Sequence, residues 1–442
     1  MTARRGLILA APASGSGKTL IAAGLLRHLR RRGIRVAAAK AGPDYIDPTF
    51  HAAASGRPCV NLDLWAMRRA TLAGLVADLE SNAELVLCEG VMGLFDGTGP
   101  DGEAGSTAEL AKLTGWSVVL VVDARRQGAS VAALVGGFAR HDPEVPIAGI
   151  IFNRIAGARH RELLETALVR HLPEIPCLGA IPQDSGLALP ERHLGLVPAG
   201  ERSESEAVIE HAAVAAAALD IDALLAVARP SRLSGAASAM PLPPLGQRIA
   251  VARDAAFVFA YPAVLEGWRH SGAELSFFSP LADEMPDTDA DAIYLPGGYP
   301  ELHAGRLAAA EWFFAGLRRA AAAGTAVYGE CGGYMVLGEA LTDADAHAHA
   351  HPMAGLLPLA TSFAERHLHL GYRQTTLLQD GPLGKAGMRF RGHEFHYAAT
   401  LSACGDALFA AEDSSGVDLG QTGLRRGSVA GSFIHLIDRA ED

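Results

Sequence analysis

The sequence predicts an α/β protein of two doubly wound domains, and three observations carry that expectation. Over residues 1–228, apolar runs of strand length alternate with stretches of helical periodicity. The segment ARPSRLSGAASAMPLPPLGQ then loses apolar periodicity and gathers proline, serine and glycine, which marks a linker over 229–246. From RIAVARDAAFVF onward a second alternating series fills 247–442 and ends in a strand-rich tail.

Composition bounds what such a chain does. Its 442 residues, 49% of them hydrophobic, suffice for full-sized cores. The net charge of −11 is interspersed and leaves no basic footprint, so nucleic acid is not expected as a partner. Five cysteines, at 59, 88, 177, 331 and 404, form no Cys-x-x-Cys pair and are odd in number. That usage fits a reducing, cytoplasmic setting better than a disulfide framework. No unbroken apolar run is long enough to span a bilayer, so no membrane association is expected either.

Taken in order, the first domain places strands in GLILAAP, IRVAAAKAG, ELVLCEG, SVVLVVDA, PIAGIIFNR and CLGAIP, with TLIAAGLLRHLRRRG as its first helix. In a parallel sheet of this kind, ligands gather at the carboxyl ends of the strands. There the first strand runs into APASGSGKTL. The small residues Ser14, Gly15, Ser16 and Gly17 let backbone N–H groups converge on phosphate oxygens at a helix start, Lys18 reaches the outer phosphates, and Thr19 can ligate magnesium. Pro12 stands where the usual phosphate-loop pattern has glycine.

Two acidic strand ends share this edge. KAGPDYIDPTFH offers Lys40, Asp44 and Asp47, and LCEGVMGLFDG offers Glu89 and Asp96. Such carboxylates complete a magnesium shell with Thr19 or orient a reacting group, although each taken singly is an ordinary helix cap or turn residue. Asp123 and Asn153 continue the edge, and Asn153 either reads a nucleotide base or satisfies loop backbone.

In the second domain AVYGECGGYMVLG sets a strand, a sharp corner and a helix around Cys331. This is a nucleophile elbow, in which glycines admit substrate and the helix N-terminus favours thiolate. His435, in GSVAGSFIHLI, is the candidate proton partner. Gly297 and Gly298 of YLPGGYPEL, with Gly332 after the thiol, offer backbone N–H groups for a tetrahedral oxyanion. DADAHAHAH alternates Asp343, Asp345, His347, His349 and His351, and reads as a solvated loop rather than a zinc or nickel face.

Together APASGSGKT, KAGPDYIDPTFH, EGVMGLFDG, LALPERHLGLV, YLPGGYPEL, YGECGGYMVLG, FRGHEFHY and SFIHL resemble, almost end to end, the cobyrinic acid a,c-diamide synthases, including the hydrogenobyrinic acid form. The resemblance implies a first domain similar to dethiobiotin synthetase, a P-loop domain binding ATP and Mg2+, and a second that is a class I glutamine amidotransferase domain. It implies that ATP phosphorylates a peripheral acetate of a corrinoid polycarboxylate and that ammonia released from L-glutamine displaces the phosphate, with Asp96 a candidate for substrate activation. Cys331 is then the glutaminase nucleophile and His435 its base. Many class I glutaminases place a glutamate two residues beyond that histidine, and here the position holds Ile437, which leaves backbone, Asp438 or Glu394 to orient the imidazole.

Two neighbours are weighed against this reading. The related cobyric acid synthases are opposed by GPDYIDPTFH. Partition-type ATPases carry a lysine where this chain has Ala13, and they leave the cysteine elbow unexplained. Free ammonia is mostly ammonium at neutral pH, so a transfer shielded from solvent is expected. The resemblance covers both the cobalt-containing and the metal-free corrinoid and is compatible with a homodimer.

Overall fold

The structure is a computed structural model that describes residues 5–187, 191–192, 195–196, 203–233, 240–344 and 348–441. Most of LALPERHLGLV, part of the expected linker and the middle of DADAHAHAH lie outside the described residues. The chain divides into two compact units, Met1–Trp65 with Leu72–Ala239, and Ala66–Thr71 with Met240–Asp442. The described flanks of the expected linker are built into these units, because Gly6 N–H donates to the Arg229 carbonyl and Leu242 and Leu245 are buried. Among the described residues no helix is long and apolar enough to cross a membrane.

The first unit is a parallel sheet of β1 (Arg5–Ala10), β2 (Val36–Ala41), β3 (Cys59–Leu62), β4 (Leu85–Glu89), β5 (Ser117–Asp123), β6 (Ile147–Ile155) and β7 (Cys177–Pro182), in the order β3-β2-β4-β1-β5-β6-β7. Strands such as LVLCE and SVVLVVD are apolar on both faces because helices cover both sides of a doubly wound sheet. The order reverses direction at β1, which puts the loop after β1 at the topological switch point where such sheets bind ligands. That loop enters α1 (Lys18–Arg31), and α2 (Asp47–Ser55) follows β2. A short antiparallel pair, β8 (Glu191–Arg192) and β9 (Gly195–Leu196), follows β7.

The second unit opens with β10 (Arg248–Ala252), β11 (Glu274–Phe278), β12 (Ala292–Leu295) and β13 (Ala326–Glu330). Two antiparallel-rich layers are added. One holds β14 (Ala340–Thr342), β15 (Ala350–Pro352), β16 (Leu359–Ser362) and β19 (Ala399–Ala403), while β17 (His369–Leu377) and β18 (Arg389–His396) join β20 (Phe409–Asp413), β21 (Asp418–Thr422) and β24 (Ile434–Arg439) in the other. The main sheet runs β11-β10-β12-β13-β23-β22, closed by β22 (Leu424–Arg426) and β23 (Val429–Ser432). Only Phe433 separates β23 from β24, so the chain steps from one sheet directly into the other beside β13.

The helix after β13, Gly332–Leu337, is short but firmly anchored. Tyr334, Met335, Val336 and Leu337 are all buried, each worth about 1.5–3 kcal/mol of transfer free energy. An elbow held this way keeps its first residue in a fixed place.

Candidate active site

In the first unit, the loop between β1 and α1 turns through Gly15 at φ 75° and Gly17 at φ 89°, left-handed values that glycine adopts without strain. A cavity of about 460 Å³ opens over it, lined by Ser14, Gly15, Lys18 and Thr19 and by Lys40, Asp44, Asp47 and Glu89. Lys18 Nζ donates to the Met92 carbonyl at 2.6 Å, and Thr19 Oγ1 donates to Glu89 Oε1 at 2.8 Å. Lys40 Nζ lies 2.8 Å from Asp47 and 3.3 Å from Glu89, whose other oxygen meets His51 Nε2 at 2.6 Å.

The electrostatics of this cluster are mutual. Burial alone would raise Glu89, but Lys40, His51 and Lys18 hold its carboxyl at about 2. Burial likewise opposes charge on Lys40, and Asp47, Glu89 and Asp44 overcome it and keep the ammonium. Burial lowers Lys18, which Glu89 only partly offsets. The carboxylates and the threonine hydroxyl are hard oxygen donors, the set that magnesium takes beside phosphate oxygens.

The other sequence candidates settle into defined places. Asp44 Oδ1 accepts from the N–H groups of Ile46 and Asp47, a turn that opens α2. Asp96 accepts from Gly93 N–H within its own loop. Asn153 donates its amide to the Ser16 carbonyl at 2.8 Å, so this face of the side chain satisfies loop backbone rather than reading a base. A smaller cavity beside it is lined by Gly17, Asn153, Ile181, Pro182 and Gln183. Sequence reasoning passed over His51, which ends GPDYIDPTFH, and Arg154, which donates to the Gly15 carbonyl and pairs with Asp123, both at 2.7 Å.

In the second unit Cys331 sits at φ 48°, ψ −108°, a strained conformation for a residue with a β-carbon and the mark of a nucleophile elbow. Its N–H donates to the Ser432 carbonyl at 2.8 Å, which ties the elbow to β23. Gly297 lies against both Cys331 and His435, since a β-carbon there would stand 2.3 Å from His435 Cε1, 3.2 Å from Nε2 and 3.1 Å from Cys331 Cβ. A β-carbon on Gly332 would approach Gly298 N to 3.1 Å, so the backbone of the predicted oxyanion glycines converges beside the thiol.

Burial works against the expected thiolate. Burial pushes the Cys331 thiol far up, reinforced by Glu301, and the N–H of Gly332 only partly counters it. Burial, with His393 and His396 nearby, lowers His435 to about 3. The resting pair is therefore thiol and neutral imidazole rather than a preformed thiolate, because desolvation outweighs the field of a six-residue helix.

The two carboxylates expected beside the imidazole are engaged elsewhere. Asp438 is fully buried and bound to Arg68, with Nη2 at 2.8 Å and the backbone N–H at 2.8 Å. Glu394 is held by Arg373 Nε at 2.7 Å and His396 Nε2 at 3.0 Å, which keep it near 2 against burial. Ile437 is buried and offers no polar group. The carboxyl facing His435 Nδ1, at 4.0 Å, belongs to Glu330, the residue immediately before Cys331. Asp343 accepts from His351 Nε2 at 2.8 Å and from His349 N–H, so the described part of DADAHAHAH closes a loop.

Comparison with known proteins finds a family match over each of the two units. Residues 7–197 match the CobQ/CobB/MinD/ParA nucleotide binding domain, and residues 248–442 match the CobB/CobQ-like glutamine amidotransferase domain. The chain is 56% identical to a hydrogenobyrinate a,c-diamide synthase of Brucella anthropi, over 98% of each chain. It belongs to that enzyme family. Other members stand at similar distance: the Rhizobium meliloti protein is 54% identical over 99% of this chain and all of its own. That of Rhodobacter capsulatus is 53% identical over 98% of both. The phosphate loop and the cysteine elbow thus lie in separately recognised domains of one family architecture.

Proposed function

We propose that this chain amidates the a and c acetate carboxylates of hydrogenobyrinic acid in cobalamin biosynthesis, using ATP and glutamine. The observation that carries the reading is that one chain holds a phosphate loop backed by paired lysines and carboxylates and also a cysteine elbow with an adjacent histidine. The names of its relatives favour the metal-free corrinoid over cobyrinic acid. The work is that of a cytoplasmic ligase.

A carboxylate is a poor electrophile. The acetate oxygen attacks the γ-phosphorus of ATP, giving an acyl phosphate and ADP, while Lys18 turns from the Met92 carbonyl to the transferring group. Magnesium would supply charge neutralisation for the phosphates, and Thr19, Glu89, Asp47 and Asp44 are the residues that would hold it. Lys40, kept charged by those same carboxylates, adds a second cation. Asn153 and Arg154 fix the loop through the carbonyls of Ser16 and Gly15, and the cavity by Ile181 and Pro182 suits a base. Asp96, at the neighbouring strand end, is assigned to the corrinoid.

In the glutaminase, His435 takes the thiol proton as Cys331 sulfur attacks the side-chain amide of glutamine. The N–H groups around Gly297, Gly298 and Gly332 hold the oxyanion. His435 returns the proton to the leaving nitrogen, ammonia departs, and water hydrolyses the thioester to glutamate. Ammonia then attacks the acyl phosphate, forming the amide and expelling phosphate.

The test is incubation with ATP, magnesium and glutamine plus hydrogenobyrinic or cobyrinic acid, followed by mass measurement of two hydroxyl-to-amino exchanges. Cys331→Ser is expected to abolish glutamine-dependent amidation and keep that supported by ammonium. Lys18→Ala is expected to abolish both. Loss of both activities in Cys331→Ser would give the thiol another role.

A further inference from the structure

We propose that Glu330 is the positioning residue for the glutaminase histidine, supplying the carboxyl that the chain lacks two residues after His435. The inference rests on the assignment of Cys331 and His435 as nucleophile and base. Glu330 ends β13 and is 2% exposed. Its Oε1 accepts the N–H of Leu436 at 3.1 Å and its Oε2 accepts the hydroxyl of Tyr294 on β12 at 2.7 Å. The carboxyl therefore grips the backbone one residue beyond the imidazole while facing Nδ1 at 4.0 Å. The opposite edge of the ring, Cε1 and Nε2, faces Gly297 and the nucleophile.

That arrangement gives the two ring nitrogens different duties. As the thiol proton moves to Nε2, positive charge and an N–H appear at Nδ1 beside a buried carboxylate, where attraction is stronger than in water. Hydrogen bonds of this kind are often long at rest and tighten on the reaction path. The remaining ionisable neighbours do not substitute. Tyr294 and Tyr328 bracket Glu330 and are held protonated by burial. On β18, burial holds His393 neutral with a pKa near 4, His396 is bound to Glu394, and Glu394 is also paired with Arg373.

Burial lifts Glu330 to about 7, with the Tyr294 hydroxyl and Leu436 N–H pulling it back. Its carboxylate therefore fills in as pH rises through neutrality, and glutamine-dependent turnover should rise with it. The experiment uses the full chain with ATP, magnesium and hydrogenobyrinic acid, with glutamine or ammonium as nitrogen source, across neutral pH. In Glu330→Gln we expect kcat with glutamine to fall about 10- to 100-fold, KM for glutamine to stay within about threefold, the ammonium reaction to persist, and the neutral pH limb to vanish. Tyr294→Phe keeps the ring but removes a donor to the carboxylate, so it should move that limb to higher pH. A Glu330→Gln enzyme that keeps the limb and full turnover overturns the proposal. If that variant loses both nitrogen sources, an unmoved limb in Tyr294→Phe overturns it as well. Retained glutamine-dependent turnover in Cys331→Ser would instead sink the underlying assignment.

Discussion

Replacing Gly297 by alanine puts the glutaminase geometry to a quantitative test. The added carbon would lie 2.3 Å from His435 Cε1, whereas ordinary contact begins near 3.4 Å, so methyl or ring has to yield by about 1 Å. The ring has little room, since His435 is 1% exposed and its Nδ1 edge faces Glu330. The methyl has little either, because Cys331 Cβ stands only 3.1 Å away. A misplacement of about 1 Å at a reacting group costs on the order of 100-fold, or about 2.7 kcal/mol of barrier. Glutamine-dependent amidation by Gly297→Ala should therefore fall by that factor while the ammonium-dependent rate holds. The assay is the pair of initial rates, with product read by mass. Glutamine-dependent turnover within about threefold of the parent would refute the placement of the imidazole, and an equal fall in both rates would mean the fold had been damaged instead.

Two further outcomes follow from buried charge. Arg68→Ala strips the Asp438 carboxylate, 0% exposed, of its only ion-pair partner among the described residues, and should lower the stability of the second unit by about 3–5 kcal/mol, read as the urea midpoint. An unchanged midpoint would mean that the pair contributes nothing. The second outcome is acid lability. His435 and His393 are depressed from 6.5 to about 3 and about 4, so each loses stability as pH drops below about 6.5, while Glu330, raised from 4.5 to about 7, gains it between about pH 7 and 4.5 and offsets about one of the two. Glu394, depressed from 4.5 to about 2, adds a loss as pH falls below 4.5. His393→Gln should therefore reduce the loss of urea midpoint on acidification between about pH 6.5 and 4 by one proton's share, and a slope equal to the parent's would contradict the reasoning.

The sequence carried the parts of these sites whose residue types are forced by local backbone chemistry. Lys18 and Thr19 had to follow a run of small residues, and Cys331 had to sit between glycines, because those loops bring backbone within reach of a ligand. The carboxylates were legible as a group but not in their separate duties. Asp44 and Glu89 both end strand-to-helix crossings, yet one closes a turn while the other binds Thr19, Lys40 and His51, and only tertiary contact distinguishes them. Glu330 was hidden for a different reason. A glutamate at a strand end ordinarily faces water, and nothing local tells that β24 will cross beside it. Asp438 misled in the opposite direction, being near His435 in sequence but claimed by Arg68 from a segment some 370 residues upstream.

The state of the thiol shows how burial decides chemistry that a motif leaves ambiguous. A helix N-terminus and a glycine corner favour thiolate at an open site, where the lost hydration is small. At Cys331 only 3% of the residue is exposed, so ionisation would have to be stabilised by one short helix against full desolvation. A preformed thiolate–imidazolium pair would also place a cation on a histidine whose burial disfavours it. The neutral pair avoids both costs until glutamine arrives, and proton transfer to Nε2 then accompanies attack on the amide instead of preceding it. Charge separation is thereby confined to the step in which the converging backbone N–H groups receive the oxyanion and the Glu330 carboxylate faces the new imidazolium.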